Sequence, residues 1–183
     1  MNYLALAGGI IGLVAFLLLT IDLLRTTTEQ SFAAFLLWAL LDGIAAATTI
    51  IEGGNYWLAL FNAIGSAAIT LILVRKKQVS WTWIETMTAI LVVICLVVWY
   101  TSGELAGIVA SSLAVFIAGI PQVIDTFKKP ENTPWLPYAV FLVGNVIALM
   151  AGKAWTIEER FYQCISLSIS VILLVLSLRR RAA

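Results

Sequence analysis

Residues 32–51 read FAAFLLWALLDGIAAATTII, twenty positions with a single ionisable side chain, Asp42, near the middle. At 1.5 Å per residue a helix of this length reaches about 30 Å, the thickness of a bilayer's hydrocarbon core. A carboxylate at the centre of such a span costs at least about 2.5 kcal/mol, so its presence asks for a reason, a functional site or a polar tie between helices. The run is too apolar for a helix with one wet face, and too long for a strand. It reads as a membrane span that carries a site.

Six further apolar segments flank it: Leu4–Leu24, Tyr56–Val74, Trp81–Tyr100, Leu105–Ile124, Pro134–Gly152 and Ile157–Leu178. Each is long enough to cross. The connections are short, Arg25–Ser31 and Glu52–Asn55 among them, and none of them makes a soluble domain. Across 183 residues, 62% of side chains are hydrophobic and 11% charged, with a mean hydropathy of +1.01. A soluble domain carries about 25% charged residues. The first span has no basic residue before it and no clear cleavage site after it, so it reads as a retained helix rather than a signal peptide.

Charge and reactive residues exclude several functions. A net charge of +1 gives nucleic acid no footing, and with no histidine the usual general base and metal ligand are missing. Cys95 and Cys164 sit in apolar runs without a CxxC pair and read as packing residues. Retinal needs a mid-helix lysine, and the last span has none between Arg160 and Arg179. No two carboxylates lie at one depth in the spans and no Gly-x-Ser-x-Gly turn occurs, so an intramembrane enzyme is not expected. No cofactor and no metal are expected.

The basic residues divide nine to two. Arg25, Arg75, Lys76, Lys77, Lys128, Lys129, Arg179, Arg180 and Arg181 fall on one side, Lys153 and Arg160 on the other. Positive loops stay inside, so the N-terminus is expected outside and the C-terminus in the cytoplasm, in a prokaryotic cell membrane. Tyr56, Trp57, Trp99, Tyr100 and Trp155 mark the outer boundary; Trp81, Trp83 and Trp135 mark the inner one. Trp38 differs, because it lies within its span.

The chain also matches itself. Slid by about 100 residues, Phe16 falls on Phe116 and Thr20-Ile21-Asp22 on Ile120-Pro121-Gln122. Slightly larger shifts bring Phe35 onto Tyr138, Trp38 onto Phe141, Asp42 onto Asn145, Asn62 onto Ser166, Ser66 onto Ser170 and Arg75 onto Arg179. The fourth span has no counterpart. An odd linker helix leaves the repeats in the same orientation, related by an axis along the membrane normal. The expected fold is all-α, with seven transmembrane helices in a 3+1+3 order: a first repeat in residues 1–77, a linker span in 78–103 and a second repeat in 104–183.

With Pro121-Gln122 late in the fifth span, and Asn62-Ala63-Ile64-Gly65 followed by an apolar run ending in Arg75-Lys76-Lys77, this order resembles the PQ-loop superfamily. That superfamily includes the SWEET sugar facilitators, cystinosin-type exporters and KDEL receptors. The resemblance implies a carrier for a small polar solute such as a sugar, with Asn62 facing it and Pro121 and Gln122 as a hinge. Where SWEET-type carriers have further prolines this chain has Ile21 and Ala34, and Ser166 replaces their second substrate asparagine. A sorting receptor, or a vitamin or amino-acid carrier, is the alternative reading.

Asp42 and Asn145 lie at one depth in their spans, so both side chains are expected to reach one cavity, or each other. Asp42 suits a proton or cation coupling site. The expected substrate-binding residues are Asp42, Asn62, Asn145, Trp38, Phe141 and Ser166, with Trp38, Tyr138 and Phe141 able to stack on a ring. Ser166, Ser168 and Ser170 recur at every second residue and cannot share one helix face. Partners are expected to be the solute and membrane lipid, with a homo-oligomer left open.

Overall fold

The computed structural model describes residues 2–25, 30–78 and 83–179, apart from the side chains of Ile84, Glu85 and Thr88. Trp81, Arg180 and Arg181 lie outside the described residues, as do positions 26–29 of the first connection. Every long element described is a helix: α1 (Tyr3–Arg25), α2 (Phe32–Ile51), α3 (Trp57–Arg75), α4 (Trp83–Ser102), α5 (Glu104–Ala118), α6 (Ile120–Lys128), α7 (Trp135–Met150) and α8 (Tyr162–Leu178). A 3-10 turn at Pro130–Asn132 leads into α7, and a wide π-type turn at Ile157–Phe161 leads into α8. Five rods, counting α5–α6 as one and α8 with its preceding turn, are long and apolar enough to cross a membrane. Residues 89–102 and α7 are shorter apolar helices. The chain has the build of an all-α integral membrane protein.

Its surface is apolar, and several polar side chains are buried among the apolar core. Leu17, Leu71, Val93 and Val175 are exposed, while Asp42, Asn62, Gln122, Asn145 and Gln163 are buried. Lipid rewards no helix for hiding leucine, so association is driven by close packing and by polar contacts between helices.

Around the bundle, α1 packs on α3 and α7, α2 on α3 and α5, and α8 on α7 and on α5–α6. Helix α4 lies outside this ring of six, against α5 and α2. The α1–α7 contact is made by small residues four apart: Gly8 and Gly12 against Gly144 and Ala148. A Cβ on Gly8 would stand 2.8 Å from the Ala148 nitrogen, so glycine alone allows the two backbones this approach.

Burial repeats along the chain. Gly8, Ala15, Phe16, Leu19 and Leu23 are buried in α1; Gly107, Ala114, Val115, Ala118 and Gln122, each 99 positions later (8 to 107), are buried in α5–α6. Phe35, Leu41, Asp42 and Ala45 of α2 recur 103 positions later (42 to 145) as Tyr138, Gly144, Asn145 and Ala148 of α7. Leu58, Asn62, Ser66 and Ile69 of α3 recur 104 positions later (62 to 166) as Tyr162, Ser166, Ser170 and Leu173 of α8. The pairing of Phe16 with Phe116 is therefore off by one. Phe116 is 37% exposed, and Val115, 3% exposed, takes the buried place. Asp22, not Ile21, then stands opposite Pro121.

Pro121 has no N–H to return to the preceding turn, and the rod breaks two residues earlier, at Gly119. The helix resumes and runs on to Lys128, so Gln122 lies inside α6 rather than ending a helix.

Candidate functional site

The site is built around Asp42, halfway along α2 and 3% exposed. Its partner comes from α8. The Tyr162 hydroxyl donates to Asp42 Oδ1 at 2.9 Å and accepts from Asn62 Nδ2 at 2.9 Å. One phenol thus joins a carboxylate on α2 to an amide on α3. Asn62 Nδ2 also stands 3.5 Å from Ser166 Oγ. One turn further along α8, Ser170 Oγ accepts from Asn145 Nδ2 at 2.8 Å and donates to the Ser166 carbonyl at 3.0 Å.

These groups border a cavity between α1, α2, α3, α5, α7 and α8. Its polar side is Asp42, Asn62, Ser66, Ser166 and Ser170; its apolar wall is Phe16, Phe35, Trp38, Tyr138, Phe141 and Tyr162, with Val115 and α8 aliphatics. The wall is held stiffly. Phe16 meets Phe141 edge-on with ring centres 4.7 Å apart, and Trp38 Nε1 donates to the Val115 carbonyl at 3.0 Å. Gly65 opposite Phe16 has no side chain because a Cβ there would fall inside the phenyl ring. The cavity volume is about 50 Å³, room for a few waters or one very small solute.

Two further recesses lie at the ends of the bundle. One, of about 450 Å³, is lined by Gln30, Ser31, Lys77, Gln122, Lys128 and Thr133, among others. The other, of about 440 Å³, is lined by Asn2, Asn55, Trp57, Lys153 and Glu159, among others. Polar contacts between the two halves of the chain lie at each end. At the lysine-rich end, the Tyr138 hydroxyl donates to Gln30 Oε1 at 3.4 Å and the Ser31 N–H to Gln122 Oε1 at 3.2 Å. At the opposite end, Asn55 Nδ2 donates to the Ala148 carbonyl at 2.9 Å and Gln163 Nε2 to the Asn55 carbonyl at 2.7 Å. Arg160 there caps α7, donating to the carbonyls of Leu149 and Gly152, and stacks 4.3 Å from the Trp155 ring centre.

Of the residues singled out in the sequence, Asp42, Asn62, Trp38, Phe141 and Ser166 share the cavity wall. Asn145 stands behind it, donating to the Phe141 carbonyl and to Ser170. The anticipated contact between Asp42 and Asn145 is not made; Tyr162 takes that place at Asp42. Ser166 and Ser170 face inward four residues apart, and Ser168 is exposed. Pro121 lies at the helix break and Gln122 beside the lysine-rich recess. Sequence reasoning missed Tyr162 and Phe16. The spacing of Tyr162, Ser166 and Ser170 at i, i+4 and i+8 was the available signal for the first. Among the described residues, no three carboxylate or thiol side chains gather as a metal site would require.

Models of known protein families, curated proteins and solved structures were all compared with the chain, and none matches it.

Proposed function

We propose that the protein is a carrier of a small polar solute, related in plan to the PQ-loop and SWEET-type transporters, that works by alternating access. Its substrate site is the cavity bordered by Asp42, Asn62, Trp38, Phe141 and Ser166, with Asn145 bracing Ser170 from behind. The observation that carries this reading is the bond between Asp42 and Tyr162. It joins an ionisable pair from opposite halves of the chain on the wall of a central cavity.

Three features support the plan of two parallel three-helix units, residues 1–77 and 104–183, joined by a linker span in 78–103. The buried positions recur at fixed offsets. The contacts of α1 with α7 and of α5 with α2 exchange under that correspondence, and α4 packs outside both units. A central cavity with a recess at either end of the bundle, and a few hydrogen bonds between the two halves near each, suits a carrier that opens one end at a time. The break at Gly119–Pro121 supplies a hinge beside the lysine-rich end. By the distribution of lysine and arginine that end is cytoplasmic, which puts the N-terminus outside.

Uptake by proteoliposomes containing the pure protein tests the reading. Saturable uptake of a small polar solute, lost in Tyr162→Leu or Asn62→Leu, is the expected result. Ligand binding without uptake across a panel of sugars, amino acids and vitamins would count against a carrier and for a receptor.

A further inference from the structure

The cavity's hydrogen-bonding capacity is one-sided. Asn145 Nδ2 faces the Phe141 carbonyl, which only accepts, so the orientation of this amide is fixed and its donors are used within the protein. Tyr162 has one proton, and Asp42 Oδ1 takes it; Asn62 must therefore present its Nδ2 to the phenol oxygen. The Asn62 Oδ1 that remains is buried without a partner, and so is Ser66 Oγ. What the protein leaves free on this wall is a carboxylate, an amide oxygen and a hydroxyl.

A sugar hydroxyl or a carboxylate ligand needs donors in return, and among the described residues of this wall Ser66 has the one hydroxyl with no partner at all. A primary ammonium group has three donors and no acceptor. Charge points the same way. Among the described residues that line the wall, Asp42 is the one acid, Tyr138 and Tyr162 are its titratable neighbours, and none is a lysine or arginine. A buried carboxylate without a counter-ion is costly, and a bound cation removes the cost. The remaining wall consists of aromatic rings, whose faces attract cations and whose edges pack on methylene groups.

Resting on the reading of this cavity as a carrier's central site, we infer that its ligand is a small primary alkylammonium ion. The ammonium group sits between Asp42, Asn62 Oδ1 and Ser66 Oγ, and the short alkyl chain lies against the aromatic wall. The volume of about 50 Å³ restricts the ligand to a few heavy atoms in this conformation.

The test is a thermal-shift and calorimetric titration of the full chain in detergent with ethylammonium chloride. Sodium chloride at equal ionic strength is the blank; ethanol, tetramethylammonium and glucose are the comparisons. Ethylammonium should bind saturably and raise the melting temperature. Ethanol and glucose should not, and tetramethylammonium, which carries the charge without N–H groups, should bind more weakly. Asp42→Asn should weaken ethylammonium roughly tenfold to a hundredfold, the size of a lost charge-assisted hydrogen bond. Should that variant fold poorly, Ser66→Ala serves, because Ser66 Oγ has no partner to lose; it should weaken ethylammonium several-fold. Acid that protonates Asp42 should release the ligand.

Tighter binding of glucose or ethanol than of ethylammonium, or no saturable ammonium binding at all, would overturn the inference. The two readings fail separately. Ethylammonium binding without uptake into proteoliposomes removes the carrier and leaves the ammonium site. Uptake of a neutral solute with no ammonium binding does the reverse.

Discussion

The α1–α3 half and the α5–α8 half bury matching positions and fill them with different chemistry. Where α2 carries Asp42, α7 carries Asn145; where α8 carries Tyr162, α3 carries Leu58; Asn62 corresponds to Ser166. Of the polar pairs that border the site, Ser66 and Ser170 alone are alike. Packing positions are set by how closely helices approach, and this constraint is the same in both halves. The polar groups are free of it and have been divided: the carboxylate comes from one half, the phenol from the other, and neither half holds the pair alone. The helix rods differ too. Helix α1 runs unbroken from Tyr3 to Arg25, while its counterpart breaks at Gly119, ahead of Pro121. Any bending at the lysine-rich end is therefore concentrated in the second half.

The corresponding interfaces also differ in hardness. A Cβ on Gly8 would press on the backbone of Ala148, whereas a Cβ on Gly107 would meet the Thr48 methyl at 2.8 Å. Gly8→Ala should thus have the largest effect, about 3 kcal/mol by overpacking, seen as a lowered melting temperature in detergent. Gly107→Ala should cost about 1 kcal/mol or less, since a side chain can shift where a backbone cannot. Gly43, with nothing within 4 Å of its Cβ position, is the control: Gly43→Ala should stabilise α2 by up to about 1 kcal/mol. Equal losses at Gly8 and Gly107 would erase the distinction between the interfaces.

Next in size is the divided pair. Asp42→Ala leaves the Tyr162 hydroxyl without its acceptor in a buried site, at a cost of about 1–3 kcal/mol. Asp42→Asn keeps an acceptor of the same shape and should retain folding while abolishing the pH dependence of ligand binding. Normal binding at every pH in Asp42→Asn, together with a lowered melting temperature in Asp42→Ala, would reduce Asp42 to a helix-to-helix tie.

The smallest expected effect on stability is at the break. Pro121→Ala restores an N–H to α6 and should change the melting temperature little, within about 1 kcal/mol. Spin-label distances between the exposed positions Leu105 and Phe127 should lengthen as the rod straightens, and uptake should slow. An unchanged distance would place the cause of the break at Gly119 instead of Pro121.

How much of this was legible beforehand differs by level. The apolar runs gave span positions close to those of the helices, because helix length in lipid is set by a fixed thickness and every backbone N–H must be satisfied within the segment. Asp42 stood out by its cost in hydrocarbon alone. The offset between α1 and α5–α6 was misjudged by one residue, since two phenylalanines, Phe16 and Phe116, were matched by identity when only one of them is buried.

Composition and the spacing of apolar runs by themselves determined that this is an all-helical chain of membrane character, with one end rich in lysine and arginine and one carboxylate out of place. The tertiary structure decided which face of each helix is turned inward, that Tyr162 and not Asn145 answers Asp42, and that Ser166 and Ser170 point in while Ser168 points out. The reason is physical. In water the apolar stripe of a helix announces its buried face; in a chain that is apolar on every side the buried face is chosen by backbone approach and by where polar groups find partners, and both depend on residues a hundred positions apart.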